Sequence, residues 1–322
     1  MNIKRIISIL TAVALCTLML AGCGKADKKS GKKLTVVTTI FPEYDWVRQI
    51  MGSHAEDAEI VYLLQNGVDL HSYQPTADDI LTISGCDMFI YAGGESDSWV
   101  DGALENAQND DMQIIKLLNV VGSNAKTEEV KEGMEADEEE EREEDGPAYD
   151  EHVWLSLRNA EIICAEIEQR LEKLDPDNAD DYKKNLSAYT EELKKLDAEF
   201  EEAVKSGSTK TLLFGDRFPF RYLTEDYGLD YFAAFVGCSA ETEASFETVA
   251  FLAKKTDELG LKYICTIESS DGKLARTIID NTQDKNQQML VFNSLQSVTD
   301  HQDSQYLSLM RENLEALKKA LS

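Results

Sequence analysis

Short β-type runs alternate with helix-type segments along almost the whole chain, and that alternation narrows the possible folds more than any other feature. The runs Leu34–Phe41, Glu59–Leu64, Met88–Ala92 and Gln113–Leu118 are mostly apolar or β-branched, as strands buried on both faces are. Helix-type segments lie between them. One is opened by Pro42 and runs to Met51, one is capped by Thr76 over Ala77–Ser84, and one covers Trp99–Gln108. The second half repeats the order, with strands at Thr211–Phe214, Tyr231–Phe235, Tyr263–Ile267 and Met289–Phe292. Its helices fall at Phe218–Asp226, Phe246–Leu259, Lys273–Asn281 and Ser304–Leu321. Parallel strands need such crossovers, so the predicted fold class is α/β, with two βα lobes and parallel-type sheets.

Two helices separate the halves. Arg158–Leu174 ends at Asp175-Pro176-Asp177, and a second helix runs from an Asn178 cap to about Lys205. In the second, Leu186, Tyr189, Leu193, Leu196 and Phe200 recur at spacings of three and four, which places them on one face. Its roughly 28 residues span about 42 Å, enough to join two lobes as a stiff linker. The expected organisation is a first lobe over 34–175, a linker over 176–207 and a second lobe over 208–322. A cleft is expected between the lobes, where strand carboxyl ends meet.

The amino terminus reads as an export signal. Lys4 and Arg5 precede the apolar stretch Ile6–Leu20, which is short for a bilayer span, and Leu20-Ala21-Gly22-Cys23 looks like a bacterial lipobox. Residues 1–22 are then a lipoprotein signal peptide, Cys23 is the lipidated residue, and 23–33 is a lysine-rich tether. A net charge of −29 excludes nucleic acid as a partner, since phosphate neutralisation needs a basic face. It suits an exported protein that handles cations. Much of the acid is concentrated in 128–151, where 14 acidic residues stand against Lys131 and Arg142. This segment is expected to be a mobile, cation-collecting loop or a merely solvated insertion. Past the signal and Cys23, Cys86, Cys164, Cys238 and Cys265 show no C-x-x-C spacing, so a cysteine zinc site is unsupported. Cys238 and Cys265 would pair only if their strands adjoin; buried thiols are the alternative.

Only four histidines occur, and two stand where a metal site would need them. His71 lies in Asp69-Leu70-His71-Ser72-Tyr73-Gln74-Pro75, past the run Ile60–Leu64, and His152 lies in Asp150-Glu151-His152-Val153-Trp154-Leu155. His54 and His301 sit in polar, turn-like contexts and read as surface residues. In the second half, Asp216 follows a strand ending in Gly215, and Glu268 and Asp271 follow Tyr263–Ile267. Asp216 and Asp271, each taken alone, read as helix caps. Together with the histidines they make a two-imidazole, two-carboxylate set that Zn²⁺ or Mn²⁺ accepts. Neither H-E-x-x-H, nor a nucleophile elbow, nor a phosphate loop is present, so the competing reading of a metallohydrolase is much weaker.

These residues carry a resemblance that covers nearly all of the chain after the signal. It resembles the metal-binding lipoproteins of ABC importers for zinc and manganese, a family that includes adhesin-like members. His71-Ser72-Tyr73-Gln74-Pro75 matches that family's His-x-Tyr/Phe-x-Pro segment. Asp150-Glu151-His152-Val153-Trp154-Leu155-Ser156 matches Asp-x-His-x-Trp-Leu-Ser/Asp. The resemblance implies His71 and His152 as first-lobe ligands. It puts the third ligand at Asp216, one residue farther than usual from Tyr222, where the zinc branch has His and the manganese branch Glu. The fourth falls in Ile267–Asp271, one residue shorter than usual, with Asp271 the first choice and Glu268 the alternative.

The resemblance further implies an extracytoplasmic solute-binding protein, lipid-anchored to the outer face of the cell membrane and active as a monomer. Such a protein captures Zn²⁺, or alternatively Mn²⁺, and delivers it to an ABC permease without catalysing a reaction. Zinc is favoured by its place in the affinity order and by the acidic loop, which falls where zinc-branch members carry a histidine- and acid-rich one. Asp216 pulls toward manganese. A surface adhesin of the same family is the second reading.

Overall fold

The computed structural model describes residues 33–105, 107–135, 148–239 and 243–322. The expected signal peptide, Cys23 and all of the tether but Lys33 lie outside the described residues, as do residues 136–147 of the acidic stretch. Residues 34–322 form one compact unit.

In chain order, the first half carries β1 (Thr35–Thr38), α1 (Phe41–Met51), β2 (Glu59–Tyr62), α2 (Ala77–Gly85), β3 (Met88–Tyr91), α3 (Val100–Leu104), β4 (Gln113–Lys116) and α4 (Leu117–Val121). Two long helices follow, α5 (Leu157–Leu174) and α6 (Ala179–Ser206). The second half carries β5 (Thr211–Phe218), α7 (Arg221–Tyr227), β6 (Asp230–Val236), α8 (Phe246–Leu259), β7 (Tyr263–Ile267), α9 (Lys273–Asn281), β8 (Gln288–Phe292) and α10 (Tyr306–Ala320). The sheets run β2-β1-β3-β4 and β6-β5-β7-β8, with every pairing parallel. Two α/β lobes with the same strand order result, as the alternation predicts.

Several boundaries differ from expectation for local reasons. β1 stops at Thr38 because the Glu43 side chain turns back and accepts from the N–H groups of Thr39 and Ile40 at 2.9 and 3.2 Å. That one-way capping by Glu43 starts α1 at Phe41 rather than extending the strand. Leu117 and Leu118 belong to α4, not to β4. The helix expected at Trp99–Gln108 is confined to α3. Asn178 does not cap α6; its amide donates to Asp175 Oδ2 at 2.7 Å. β5 continues to Phe218 through a register shift between Phe214 and Arg217, so Asp216 sits inside the strand instead of past its end. Helix α7 accordingly starts later than expected.

The long helix α6 packs against α1 and α5 of the first lobe and against α10, which itself lies on β8 and α1. One apolar cluster therefore runs beneath both sheets, from Val36, Trp46 and Trp154 through Leu196 and Phe200 to Phe214, Phe292 and Leu314. Polar ties reinforce the join. Trp154 Nε1 donates to Ser294 O at 2.8 Å, the Tyr306 hydroxyl donates to Trp154 O at 2.7 Å, and Tyr306 N–H donates to Asp45 Oδ2 at 2.9 Å.

Two side-chain expectations also change. His301 is no simple surface residue, since its ring packs edge-on against Tyr44 and Tyr62 with centroids 5.2 Å away in each case. The described ends of the acidic stretch are structured: Thr127 bridges Tyr149, Glu135 bridges Phe235, and Asp150 and Glu151 are buried. Cys164, Cys238 and Cys265 carry free thiols. β5 lies between β6, which precedes Cys238, and β7, which holds Cys265, so the strands those two would need to share do not adjoin.

Candidate metal centre

His71 is positioned from its own turn and from β3. Asp69 caps the short 3-10 turn Leu70–Ser72 by accepting from the His71 N–H at 3.0 Å. The ring Nδ1 lies 2.7 Å from Ser96 Oγ and 3.1 Å from Glu151 Oε1. Ser96 comes from the turn Glu95–Asp97 after β3, and its hydroxyl donates to the same Glu151 carboxylate. With its only proton committed there, the Ser96 oxygen must accept from His71 Nδ1–H. The His71 Nε2 is then a lone pair. Glycine at position 94 permits this packing, because a Cβ there would collide with the Glu151 side chain.

His152 is fixed by its own segment. Asp150 Oδ1 accepts both the His152 N–H and its ring Nδ1–H, each at 2.9 Å, and the imidazole is fully buried. Tyr222 steadies that segment by donating to Asp150 O at 2.7 Å. In the neutral ring His152 Nε2 then presents a lone pair, and it faces the His71 Nε2 at 3.3 Å. A tetrahedral metal with metal–nitrogen bonds of about 2.05 Å has a nitrogen–nitrogen edge of about 3.3 Å. Burial works against charge on His152, but Asp150 and then Glu151 outweigh it and hold the imidazole above its ordinary value. Burial likewise opposes charge on Glu151, yet its contacts with His71, His152 and Ser96 keep its carboxyl below the usual range. Anionic surroundings behind two converging imidazole nitrogens are suited to a cation.

A third donor atom reaches the pair. The Cys238 thiol lies with the two imidazoles so that all three ligand atoms fall within 4.8 Å of one another. Among the described residues, no carboxylate completes such a cluster with the two histidines. The turn carrying Cys238 follows β6 and packs directly on the His152 ring. A Cβ at Gly237 would stand 2.9 Å from Phe218 O and 3.1 Å from the His152 ring, so the close approach requires glycine. Burial pushes the Cys238 thiol well above its ordinary value, and Glu151, Asp150 and Glu128 add to that effect.

The second-lobe carboxylates are near but engaged elsewhere. Asp216, Asp271 and His71 line one cleft of about 800 Å³ that also includes Arg217, Ser270 and Lys273. Asp216 accepts from Arg217 N–H at 2.9 Å and Ile267 N–H at 3.4 Å, and burial raises its pKa. Asp271 is exposed, accepts from Lys273 N–H at 2.9 Å and pairs with Lys273 Nζ at 2.5 Å, which lowers its pKa. Glu268 is turned away, with its two oxygens accepting from the Ser294 N–H and hydroxyl at 2.7 Å each. The structure thus brings His71 and His152 together, and it brings neither Asp216, Asp271 nor Glu268 to them.

Three residues outside the sequence-derived set lie beside the two histidines or their neighbour Asp69. Arg217 reaches across from β5 and pairs with Asp69, beside His71. Burial would raise the Asp69 carboxyl, but the Arg217 guanidinium outweighs it and holds it low. Gln296 is fully buried; its Nε2 donates to Asp69 Oδ2 at 3.3 Å and its Oε1 has no hydrogen-bond partner. Leu295 before it holds a φ of 61°, costly for a branched side chain. Cys238 is the third. Neither Arg217 nor Gln296 is a metal-type residue, and Cys238 stands in no ligand motif, so only the charge of Arg217 next to Asp216 offered a signal.

Comparison with known proteins agrees with this layout. The family described as "Zinc-uptake complex component A periplasmic" matches residues 36–320. The chain is 29% identical over 323 residues to the high-affinity zinc uptake system protein ZnuA of Bacillus subtilis, covering 97% of each. It is 30% identical over 320 residues to the zinc-binding lipoprotein AdcA of Streptococcus pneumoniae, covering 97% of this chain but 60% of that one. Against the AdcA proteins of Streptococcus pyogenes the covered share is 56%, so the chain spans little more than half the length of those relatives. The Zn(II)-bound ZnuA-like domain of S. pneumoniae AdcA superimposes with a TM-score of 0.69 at 28% identity, over 90% of this chain and 99% of that domain. With both histidine motifs, the paired parallel sheets and a family match over nearly all described residues, the chain belongs to the family of periplasmic A components of zinc-uptake complexes.

Proposed function

We propose that this chain captures Zn²⁺ outside the cytoplasm and delivers it to an ABC permease, acting as a carrier and not as an enzyme. One observation carries the reading: two imidazole Nε2 atoms face each other at 3.3 Å, each ring backed by a carboxylate on Nδ1. Unshared lone pairs at that distance repel, and a dication between them turns the repulsion into two bonds. His71 and His152 are the proposed ligands. Asp216, lining the same cleft, adds negative potential from the second lobe, and Asp271 stays with Lys273. Lipidation of Cys23 would hold the carrier, as a monomer, at the outer membrane face, which the Leu20-Ala21-Gly22-Cys23 segment supports.

The test is a chelator-competition titration of the purified chain with Zn²⁺ and, separately, Mn²⁺. One equivalent of Zn²⁺ should bind tightly, Mn²⁺ more weakly, and the double variant His71→Ala/His152→Ala should lose at least about a thousandfold in zinc affinity. Unchanged affinity in that folded double variant would refute the assignment.

A further inference from the structure

We infer that Cys238 is the third metal ligand of this site, so that a thiolate tunes the centre to zinc and against manganese. The inference rests on the carrier reading above and names the donor set within it.

Three independent features converge on Cys238. Its Sγ falls within 4.8 Å of ligand nitrogens on both histidines, a grouping that no Asp or Glu makes with them among the described residues. A tetrahedral zinc held by one imidazole and one thiolate has a nitrogen–sulfur edge of about 3.5 Å, so a small inward movement of the three donors closes around the ion. The turn is also held in place from outside. Cys238 N–H donates to Glu128 Oε1 at 3.4 Å, and Arg217 Nη1 donates to Ser239 O at 3.5 Å. Finally, Gly237 lets the turn lie flat against the His152 ring, where any side chain would push the thiol away. A cysteine placed only to fill the core would need none of this.

The second-lobe residues fit the same conclusion. Asp216 and Asp271 keep backbone and lysine partners, while Arg217 adds positive charge beside His71. A second-lobe donor is still required to hold the ion across the cleft, and the described residues offer the thiol. On coordination the Cys238 S–H bond breaks, its proton passes to solvent, and the sulfur lone pair binds the metal. Thiolate and imidazole together favour zinc and other borderline ions. Manganese prefers carboxylate and carbonyl oxygen and gains little from sulfur.

Cobalt provides the test, since Co²⁺ takes zinc's geometry and reports its ligands in its spectrum. Wild-type protein loaded with Co²⁺ should show a near-ultraviolet sulfur-to-cobalt charge-transfer band that Zn²⁺ abolishes by displacement. The variant Cys238→Ser should lose that band, lose about a hundredfold in Zn²⁺ affinity, and keep Mn²⁺ affinity within about threefold. Zn²⁺ should also protect one wild-type thiol from alkylation. Cobalt bound with visible d–d bands but no charge-transfer band would overturn the thiolate while leaving the histidine site standing. A wild-type chain that binds neither Co²⁺ nor Zn²⁺ would overturn the thiolate and the carrier reading together. Because the wild-type spectrum and the alkylation pattern need no variant, a misfolded Cys238→Ser protein leaves the decision intact.

Discussion

On the first-lobe side of the cleft, every ring nitrogen that does not face the site is tied down: His71 by Ser96 and Glu151, His152 by Asp150. On the second-lobe side the acidic groups are tied to their own lobe, Asp216 to Ile267, Glu268 to Ser294 and Asp271 to Lys273. The same chemical device, a carboxylate holding a neighbour, thus has opposite effects in the two halves. In the first it leaves a nitrogen facing the cleft, because an imidazole has a second nitrogen to offer. In the second it occupies the oxygens that would otherwise bind. Preorganisation therefore lies in the first lobe, and the second lobe contributes charge and one turn.

Buried acids elsewhere in the first lobe carry a cost, and its pH dependence gives the largest effect. Burial, helped by Asp97, raises Glu43 from 4.5 to about 8, and burial raises Asp97 from 3.8 to about 7. Below about pH 3 both are protonated folded or unfolded, and the folded state bears no penalty. As pH rises toward 8, the unfolded chain ionises these groups freely while the folded chain resists, so stability falls. The loss should reach roughly 2–4 kcal/mol between pH 5 and pH 9. Denaturant unfolding at both pH values should show it, and Glu43→Gln should flatten much of the slope. A pH-independent midpoint in the wild type would mean that the first lobe is not under this strain.

Next in size are the backing carboxylates. Glu151→Gln and Asp150→Asn keep shape but weaken the grip on Nδ1, and each should lower Zn²⁺ affinity by about 10–100-fold. Equal losses on changing second-lobe acids would erase the contrast between the halves. The smallest effects are expected there: Asp216→Asn should cost no more than about threefold, as a screened, indirect charge does. Asp271→Asn should leave the titration unchanged, and a loss above tenfold would return Asp271 to the ligand set.

How far the sequence reached follows the same divide. The bounds of α8, β7 and α9 were readable to the residue, because Ser245 caps one helix and turn residues flank the others. His71 and His152 were readable because each motif carries its own Nδ1 partner or its cap within a few residues. The end of β1 was not, since Ile40 and Phe41 are buried in either conformation and hydrophobicity cannot separate them. Asp216 was misplaced because a strand that continues through a register shift looks, in sequence, like a strand followed by a turn. Cys238 was invisible as a donor: its neighbours come from 81 residues apart in the other lobe, and only the packing of Gly237 on an imidazole brings them to it.

The bond between Tyr306 N–H and Asp45 joins residues 261 positions apart, and it has a consequence for how the chain is made. Trp46 meets the Tyr306 ring at a centroid distance of 5.0 Å, and Trp154 hands its carbonyl to the Tyr306 hydroxyl. A ribosome that has finished the first lobe has not yet made the side chain that closes its core. Domains that complete themselves early fold during synthesis; this one must wait, with Trp46 and Trp154 uncovered, until α10 arrives. Loop closure over so many residues is slow, so the core of the first lobe stays open until the last helix of the chain has been made.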